Sequence, residues 1–390
     1  MDLAARVKRI YEGCDSSARV VEFINKASKR LSEKGINSIN IMDFCGTHEW
    51  TIVHYGLRSL MPREVSLVAG PGCPVCITPG LYVDYMVKLS FEGFKILTYG
   101  DAYKLPGTTN SKVKNLYQAK ALGGEVEVVY SFIDAIRIAR ENSSKNYVFF
   151  SVGFETTMPA VAIPLYSNVV PRNIMVFAAH RYTPPVVKYL LDEVREVNLS
   201  GVIAPGHVST IIGSSAWSFI PRDYRVTAVV AGFEPVDVLV AVLVVLKQLL
   251  VDRPALINEY ARVVKPEGNT YALRAMNEVF ERADSYWRGI GVIKESGAVF
   301  KDKYREYDAA SQLGLKDSST IEDIVPGCKC SEIVLGLAKP SDCPLFMTAC
   351  TPENPIGPCM VGSEGTCRIW AENPPLLIDI DLDRSIMQKQ

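Results

Sequence analysis

The sequence predicts an α/β protein with two doubly wound parallel sheets, followed by a helical and irregular C-terminal part. Three observations carry this expectation. Short β-branched runs recur from residue 38 to residue 235, each followed by a Gly- or Pro-bearing loop and then a helical pattern. The runs are apolar throughout rather than alternating, as in strands covered on both faces, and such strands are parallel and joined by helices. After about Asp252 the pattern changes, and six cysteines gather in a proline-rich tail.

The runs are Ser38–Asp43, Val65–Ala69, Lys95–Tyr99, Val126–Tyr130, Tyr147–Val152, Ile174–Ala178, Gly201–Ala204 and Val226–Ala231. They are too many for one small sheet. Two Rossmann-like domains are therefore expected, 38–145 and 146–250, divided at the polar stretch Arg140–Asn146. Gly-Phe-Glu follows a strand twice, at 153–155 and at 232–234. Beyond them, helices are expected over Pro254–Val264 and Asn269–Ala283, within a helical, Cys-rich third domain, 251–390, joined by 1–37. The start, Met1–Cys14, reads as an amphipathic helix without an apolar signal core. Val238–Leu246, the longest apolar run, is half a membrane span and stops at Lys247, so it reads as a buried helix.

A formal net charge of −1 over 390 residues offers no electrostatic case for nucleic acid or an anionic membrane. Apolar residues at 48% exclude global disorder. The expected location is the cytoplasm. That compartment keeps thiols reduced, so ten cysteines point to metal ligation or redox work rather than structural disulfides.

In open α/β sheets, ligands bind at the loops after the carboxyl ends of strands. Those loops hold most of the reactive residues, and three of the four histidines. Cys45-Gly46-Thr47-His48 pairs a soft metal ligand or nucleophile with a base; a buried thiol and a backbone-satisfied histidine are the bland alternative. Cys73-Pro74-Val75-Cys76, at an expected helix start, reads as a redox pair or half a zinc site. Gly100-Asp101 supplies a carboxylate, and Gly153-Phe154-Glu155-Thr156-Thr157 a carboxylate, hydroxyls and N–H groups for an anion, or simply a capped helix. His180 and His207 close the set, His207 being the stronger candidate because Pro205-Gly206 shapes its loop.

Cys328, Cys343, Cys350 and Cys367 follow the spacing C-x14-C-x6-C-x16-C. Four thiolates on irregular chain suit an iron–sulfur cluster, whereas zinc knuckles bring ligands in close pairs. Cys330 stands two residues from Cys328, and spacing leaves the choice between them open. The leftover pair, Cys330 and Cys359, is a candidate redox disulfide beside the cluster.

Taken in order, these motifs resemble the HypD family of hydrogenase maturation factors. The resemblance rests on Met42–His48, Gly70–Cys76, Gly100-Asp101 with Pro106-Gly107, Gly153–Thr157, Pro205–Ser209, Cys350–Pro355, Cys359–Val361 and Ser363–Gly365. It implies a scaffold for the Fe(CN)2CO unit of [NiFe] hydrogenases, with the iron held between Cys45 and a cysteine of a HypC-type small chaperone. Cyanide is then expected from a HypE-type donor carrying a thiocyanate. The resemblance also assigns a [4Fe-4S] cluster to Cys328, Cys343, Cys350 and Cys367, and redox pairs to Cys330/Cys359 and Cys73/Cys76. His48 and His207 become candidates for support of the iron or proton transfer, and Asp101 and Glu155 for orienting or protonating the incoming group. Two departures stand out. Trp50 occupies the place of a second histidine, and Arg368-Ile369-Trp370 replaces an alanine-and-tyrosine run, a change expected to touch only the cluster's surroundings. A stand-alone iron–sulfur thiol–disulfide oxidoreductase is the alternative, although no dinucleotide fingerprint marks an electron-donor site. A zinc-stapled binding module is a third.

Overall fold

The computed structural model describes residues 15–316 and 323–373; the helix expected over Met1–Cys14 lies outside them. All eight expected strands form: β1 Ile39–Asp43, β2 Val65–Ala69, β3 Phe94–Thr98, β4 Val126–Val128, β5 Asn146–Gly153, β6 Ile174–His180, β7 Leu199–Ala204 and β8 Thr227–Val230. Three more follow, β9 Leu256–Asn258, β10 Phe280–Trp287 and β11 Gly291–Phe300. The helices that matter below are α1 Asp15–Glu33, α2 Gly46–His54, α3 Gly80–Phe91, α4 Phe132–Glu141, α5 Thr183–Glu193, α6 Gly206–Ile212, α7 Pro235–Val251, α8 Thr270–Val279 and α9 Thr366–Glu372.

Two parallel sheets result, with strand orders β2-β1-β7-β8-β9 and β4-β3-β5-β6. They do not divide the chain in sequence order. The chain begins the first sheet, leaves to build the whole of the second over residues 94–180, and returns. The expected division at Arg140–Asn146 is therefore corrected: β3 pairs with β5 from Phe94↔Asn146 to Thr98↔Phe150, across it. The polar stretch is the exposed turn between α4 and a central strand, and polarity there reports exposure rather than a boundary.

The N-terminal segment also sits elsewhere than expected. Helix α1 packs on α7, not on the C-terminal part: Ile24 and Leu31 share a core with Val238, Val242 and Val245, and Lys34 Nζ donates to Leu250 O at 2.7 Å. Helix α7 is the buried helix expected from its apolar run, wrapped by sheet on one side and α1 on another. Among the described residues no helix is long and apolar enough to cross a membrane.

The part after Asp252 is less helical than expected. The stretch 254–264 contributes strand β9, paired with β8, and turns. Helix α8, capped by Asn269 accepting from Ala272 N at 3.0 Å, ends at Val279, and Phe280–Ala283 open an antiparallel hairpin with β11. Helix propensity in Glu281-Arg282-Ala283 yields to cross-strand pairing, a tertiary override of a weak local preference.

Each sheet has a topological switch point, where successive strands depart to opposite sides. It lies between β1 and β7 in the first and between β3 and β5 in the second. Loops after those strands border a ready crevice. Cys45 and His207 follow β1 and β7; Asp101 and Glu155 follow β3 and β5.

Candidate functional site

Strands β1 and β2 run parallel with Asp43 opposite Ala69, so the loops carrying Cys45 and Gly70–Cys76 leave the sheet side by side. Cys45 is the extended N-cap of α2 and is only 7% exposed. Gly46 N donates to Gly72 O at 3.4 Å. The approach is so close that a Cβ on Gly72 would fall 2.6 Å from the Cys45 N and Cα. A third segment closes over the loop: a Cβ on Gly46 would meet Glu364 at 2.5 Å. Burial, then the Asp101 charge, push the Glu364 carboxyl up to about 7. Burial, then the Glu364 charge, push the Cys45 thiol up to about 12. Cys45 therefore holds its proton at neutral pH until a soft cation displaces it. Glu364 belongs to the Ser363–Gly365 motif but has no chemical partner in the linear pattern; its role became visible only when it met Cys45.

Cys73 and Cys76 are joined in a disulfide, both buried. They lie in a turn, and α3 begins only at Gly80, so the expected helix start at the pair is corrected. Gly72 packs against the Cys45 backbone, and the chain does not enter the helix until Gly80.

His48 is aimed away from a simple thiol–base pairing. Its Nε2–H donates to Gly232 O at 2.9 Å and Ala231 O at 3.2 Å, which sets the tautomer. Its ring stacks on Phe233 with centroids 4.6 Å apart, and His207 stacks on the same phenyl at 4.0 Å. Burial lowers His48 to about 4, so the ring is neutral, and Nδ1 is buried with no partner among the described residues. His207 is also lowered by burial. Thus β1, β7 and β8 bring Cys45, His48 and His207 to one end of one sheet, with the second Gly-Phe-Glu supplying the phenyl between the histidines.

The first Gly-Phe-Glu serves the other sheet. Phe154 stacks on Trp287, and Glu155 accepts from Thr183 N at 2.8 Å and Thr183 Oγ1 at 3.1 Å, capping α5 from a distance. The loops after the strand ends therefore do not all border one crevice, because they belong to two sheets. His180 is likewise internal, its Nε2 2.8 Å from Ser151 Oγ. Burial pushes Glu155 up to about 7, above its ordinary 4.5. Between those values the folded chain keeps a proton that the unfolded chain has lost, so this group's contribution falls as pH rises through the window. Glu155→Gln, which keeps an acceptor for Thr183 N, is expected to exceed the parent in stability at pH 8 by about 2 kcal/mol and to converge with it below pH 5. Denaturant unfolding at the two pH values measures this; equal or lower stability of the variant at pH 8 sinks it.

The six C-terminal cysteines converge. Cys328, Cys330, Cys343, Cys350 and Cys367 line one small cavity, about 10 Å³, with Met360 and Phe346. Cys359 is buried within hydrogen-bonding reach of Cys330 and Cys367, and Cys328 within reach of Cys330. Ile356 N and Gly357 N donate to Cys350 Sγ at 3.3 and 3.5 Å. A Cβ on Gly357 would fall 2.8 Å from both the Cys328 and Cys330 sulfurs. Among the described residues no group of three or more His, Cys, Asp or Glu is placed to hold a metal ion. The donors gathered here are thiols, the class of ligand an iron–sulfur cluster takes. Both Cys328 and Cys330 face the cavity, so geometry leaves that choice where spacing left it.

The two places adjoin. Glu364, against the Cys45 loop, is three residues from Cys367, at most roughly 11 Å of chain. Asp101 comes to the same place from the second sheet, 3.6 Å from where a Gly362 Cβ would be. Trp370 Nε1 donates to Glu49 Oε1 at 2.6 Å, and Glu49 Oε2 accepts from Arg58 at 2.6 Å. The Arg368–Trp370 departure therefore reaches the Cys45 helix, beyond the cysteine cavity where its effect was expected to end. Trp50 lies exposed on that helix, stacked on His54 at 4.3 Å.

Comparison with known proteins adds the following. The family model HypD, described as "Hydrogenase formation hypA family", matches residues 17–373. A putative hydrogenase expression/formation protein of Methanocaldococcus jannaschii is 43% identical over 356 residues, covering 90% of this chain and 96% of that protein. The hydrogenase maturation factor HypD of Rhodobacter capsulatus is 41% identical over 354 residues, 89% of this chain and 92% of its own. That of Escherichia coli is 37% identical over 364 residues, 92% and 96% respectively.

Proposed function

This chain belongs to the HypD family, and from that premise we propose that it is a hydrogenase maturation scaffold on which the Fe(CN)2CO unit is assembled. The observation that carries the finer reading is one buried thiol, Cys45, at a sheet's switch point, with a redox-capable disulfide beside it and a cysteine cavity three residues beyond its Glu364 neighbour.

In this reading the substrate iron is held by the Cys45 sulfur and by a cysteine of a HypC-type chaperone. The Cys45 proton leaves as iron binds, and the Glu364 carboxylate, whose charge acts on that thiol, accepts it. His48, neutral and fixed through Nε2, offers Nδ1 to a ligand or a second proton. A HypE-type partner delivers cyanide as a thiocyanate. Breaking that S–C bond to release thiolate and cyanide takes two electrons. The reduced Cys73 and Cys76 thiols supply both, forming their disulfide and releasing two protons, one of which the departing thiolate takes up. Cys328, Cys343, Cys350 and Cys367 would hold a [4Fe-4S] cluster, which would supply electrons one at a time from an external reductant; Cys330 and Cys359, going from dithiol to disulfide, would return two electrons and two protons to the Cys73–Cys76 disulfide and be reduced again at the cluster. Asp101 acts through Glu364, raising its proton affinity. Glu155, bound to Thr183, acts on α5 rather than on the iron. The site of work in this reading is the cytoplasm.

A stand-alone thiol–disulfide oxidoreductase would use the same cysteines, but family membership does not favour it. Anaerobic purification with iron and sulfide assay is the test. About four of each per chain are expected, and addition of the HypC-type and HypE-type partners should bring cyanide bands into the infrared spectrum. A colourless protein holding one zinc rejects the electron relay and leaves a binding module.

A further inference from the structure

Arg288 opens the turn between β10 and β11 and is only 3% exposed. Its guanidinium donates to Asp323 O from Nη2 at 2.7 Å and from Nε at 3.2 Å, to Pro106 O at 2.6 Å and to Gly107 O at 3.1 Å. Each of these partners is a main-chain carbonyl. The Asp323 carboxylate turns instead to Gly80 N at 3.0 Å, and its second oxygen has no partner among the described residues. No ion pair to Arg288 forms among the described residues. Carbonyl dipoles solvate the cation in part, and nearby negative charge offsets the remaining cost of burying it.

The surroundings indicate where that charge lies. Arg288 N donates to Ile77 O at 2.8 Å, one residue from Cys76. A Cβ on the next residue, Gly289, would fall 2.3 Å from Ser331 Oγ, which follows Cys330. After Asp323, the groups whose charge acts on the guanidinium are Cys330, Cys328 and Cys359. The main chain at Arg288 is thus held between the disulfide loop and the segment that carries Cys330.

We propose that Arg288 is the fixed counter-charge of the anionic iron–sulfur centre in the cysteine cavity and sets its reduction potential, a positioning role that rests on the cluster reading above. The physical reason is simple. Each electron added makes the centre more negative, and a desolvated cation stabilises the reduced form more than the oxidised one. The Asp323 carboxylate, facing the same charge, partly offsets it.

The experiment is an EPR-monitored redox titration of the reconstituted full chain at pH 8. Arg288→Met is expected to lower the reduction equilibrium at least tenfold, 59 mV for one electron. Arg288→Lys should stay near the parent, and Asp323→Asn should shift the other way. A purely structural role predicts instead that the lysine variant, which cannot rebuild the four carbonyl bonds, moves as far as the methionine one. An unchanged potential in Arg288→Met, or equal shifts in both arginine variants, overturns the proposal. If Arg288→Met does not fold, an unshifted Asp323→Asn overturns it alone. A parent chain that takes up no iron and sulfide rejects the cluster reading itself, and this assignment with it. A parent that takes them up while the variants fail the redox test rejects only the role of Arg288.

Discussion

Cys45→Ala is expected to abolish cofactor assembly while leaving a folded protein. The loss should exceed roughly a hundredfold, because no other thiol stands at that position to anchor a soft, low-spin iron. The fold should survive. Cys45 caps α2 without a side-chain hydrogen bond, so the substitution removes one sulfur atom and no cap interaction. Cys45→Ser is the sharper control: it keeps the shape but offers a hard oxygen, and should fail as well. Complementation of a strain lacking the native gene, with hydrogenase activity and cyanide infrared bands as readouts, measures both. Full maturation by either variant removes Cys45 from the iron.

Gly72→Ala is expected to be the most damaging conservative change in the site. The new methyl would lie 2.6–2.7 Å from the Cys45 N, Cα and carbonyl carbon, all backbone atoms with no rotamer to relieve the overlap. Overpacking of this kind costs about 1–3 kcal/mol, and the relief available is to push the Cys45 loop off its place against Glu364. Stability and assembly should fall together. Gly100→Ala is the comparison: its methyl would meet only Val128 Cγ1, at 3.8 Å, and near-parental unfolding is expected. Chemical denaturation of the three proteins decides it, and a Gly72→Ala chain as stable as the parent shows that the two loops are not in firm contact.

Much of the site could be read in the chain. The eight strands were visible because buried parallel strands are apolar on both faces, and their ends carried the Cys45, Cys73-Cys76 and His207 loops. The six cysteines stood out by number and by the prolines around them; five of them line one cavity and Cys359 is buried beside it. Less could be read of who meets whom. Glu155 had the composition of a site residue, yet it caps α5 by accepting from Thr183, because its strand belongs to the other sheet. His48 looked like a partner for Cys45, yet its Nε2 is taken by the carbonyls of Ala231 and Gly232, 183 and 184 residues away. The hairpin of β10 and β11 was hidden behind a helix-forming stretch.

The α/β class, the first eight strands with their order along the chain, and the kinds of donor available were legible in the chain alone. Those depend on local pattern, on turns and on the chemistry of single side chains. Only the tertiary structure decided that β3 to β6 form an inserted sheet, that α1 lies on α7, and that Glu364 meets Cys45. It also decided that Arg288 is buried without a carboxylate partner among the described residues. Strand pairing, and the approach of residues hundreds of positions apart, depend on which faces bury each other. That choice rests on the whole packed assembly, and no local window of residues contains it.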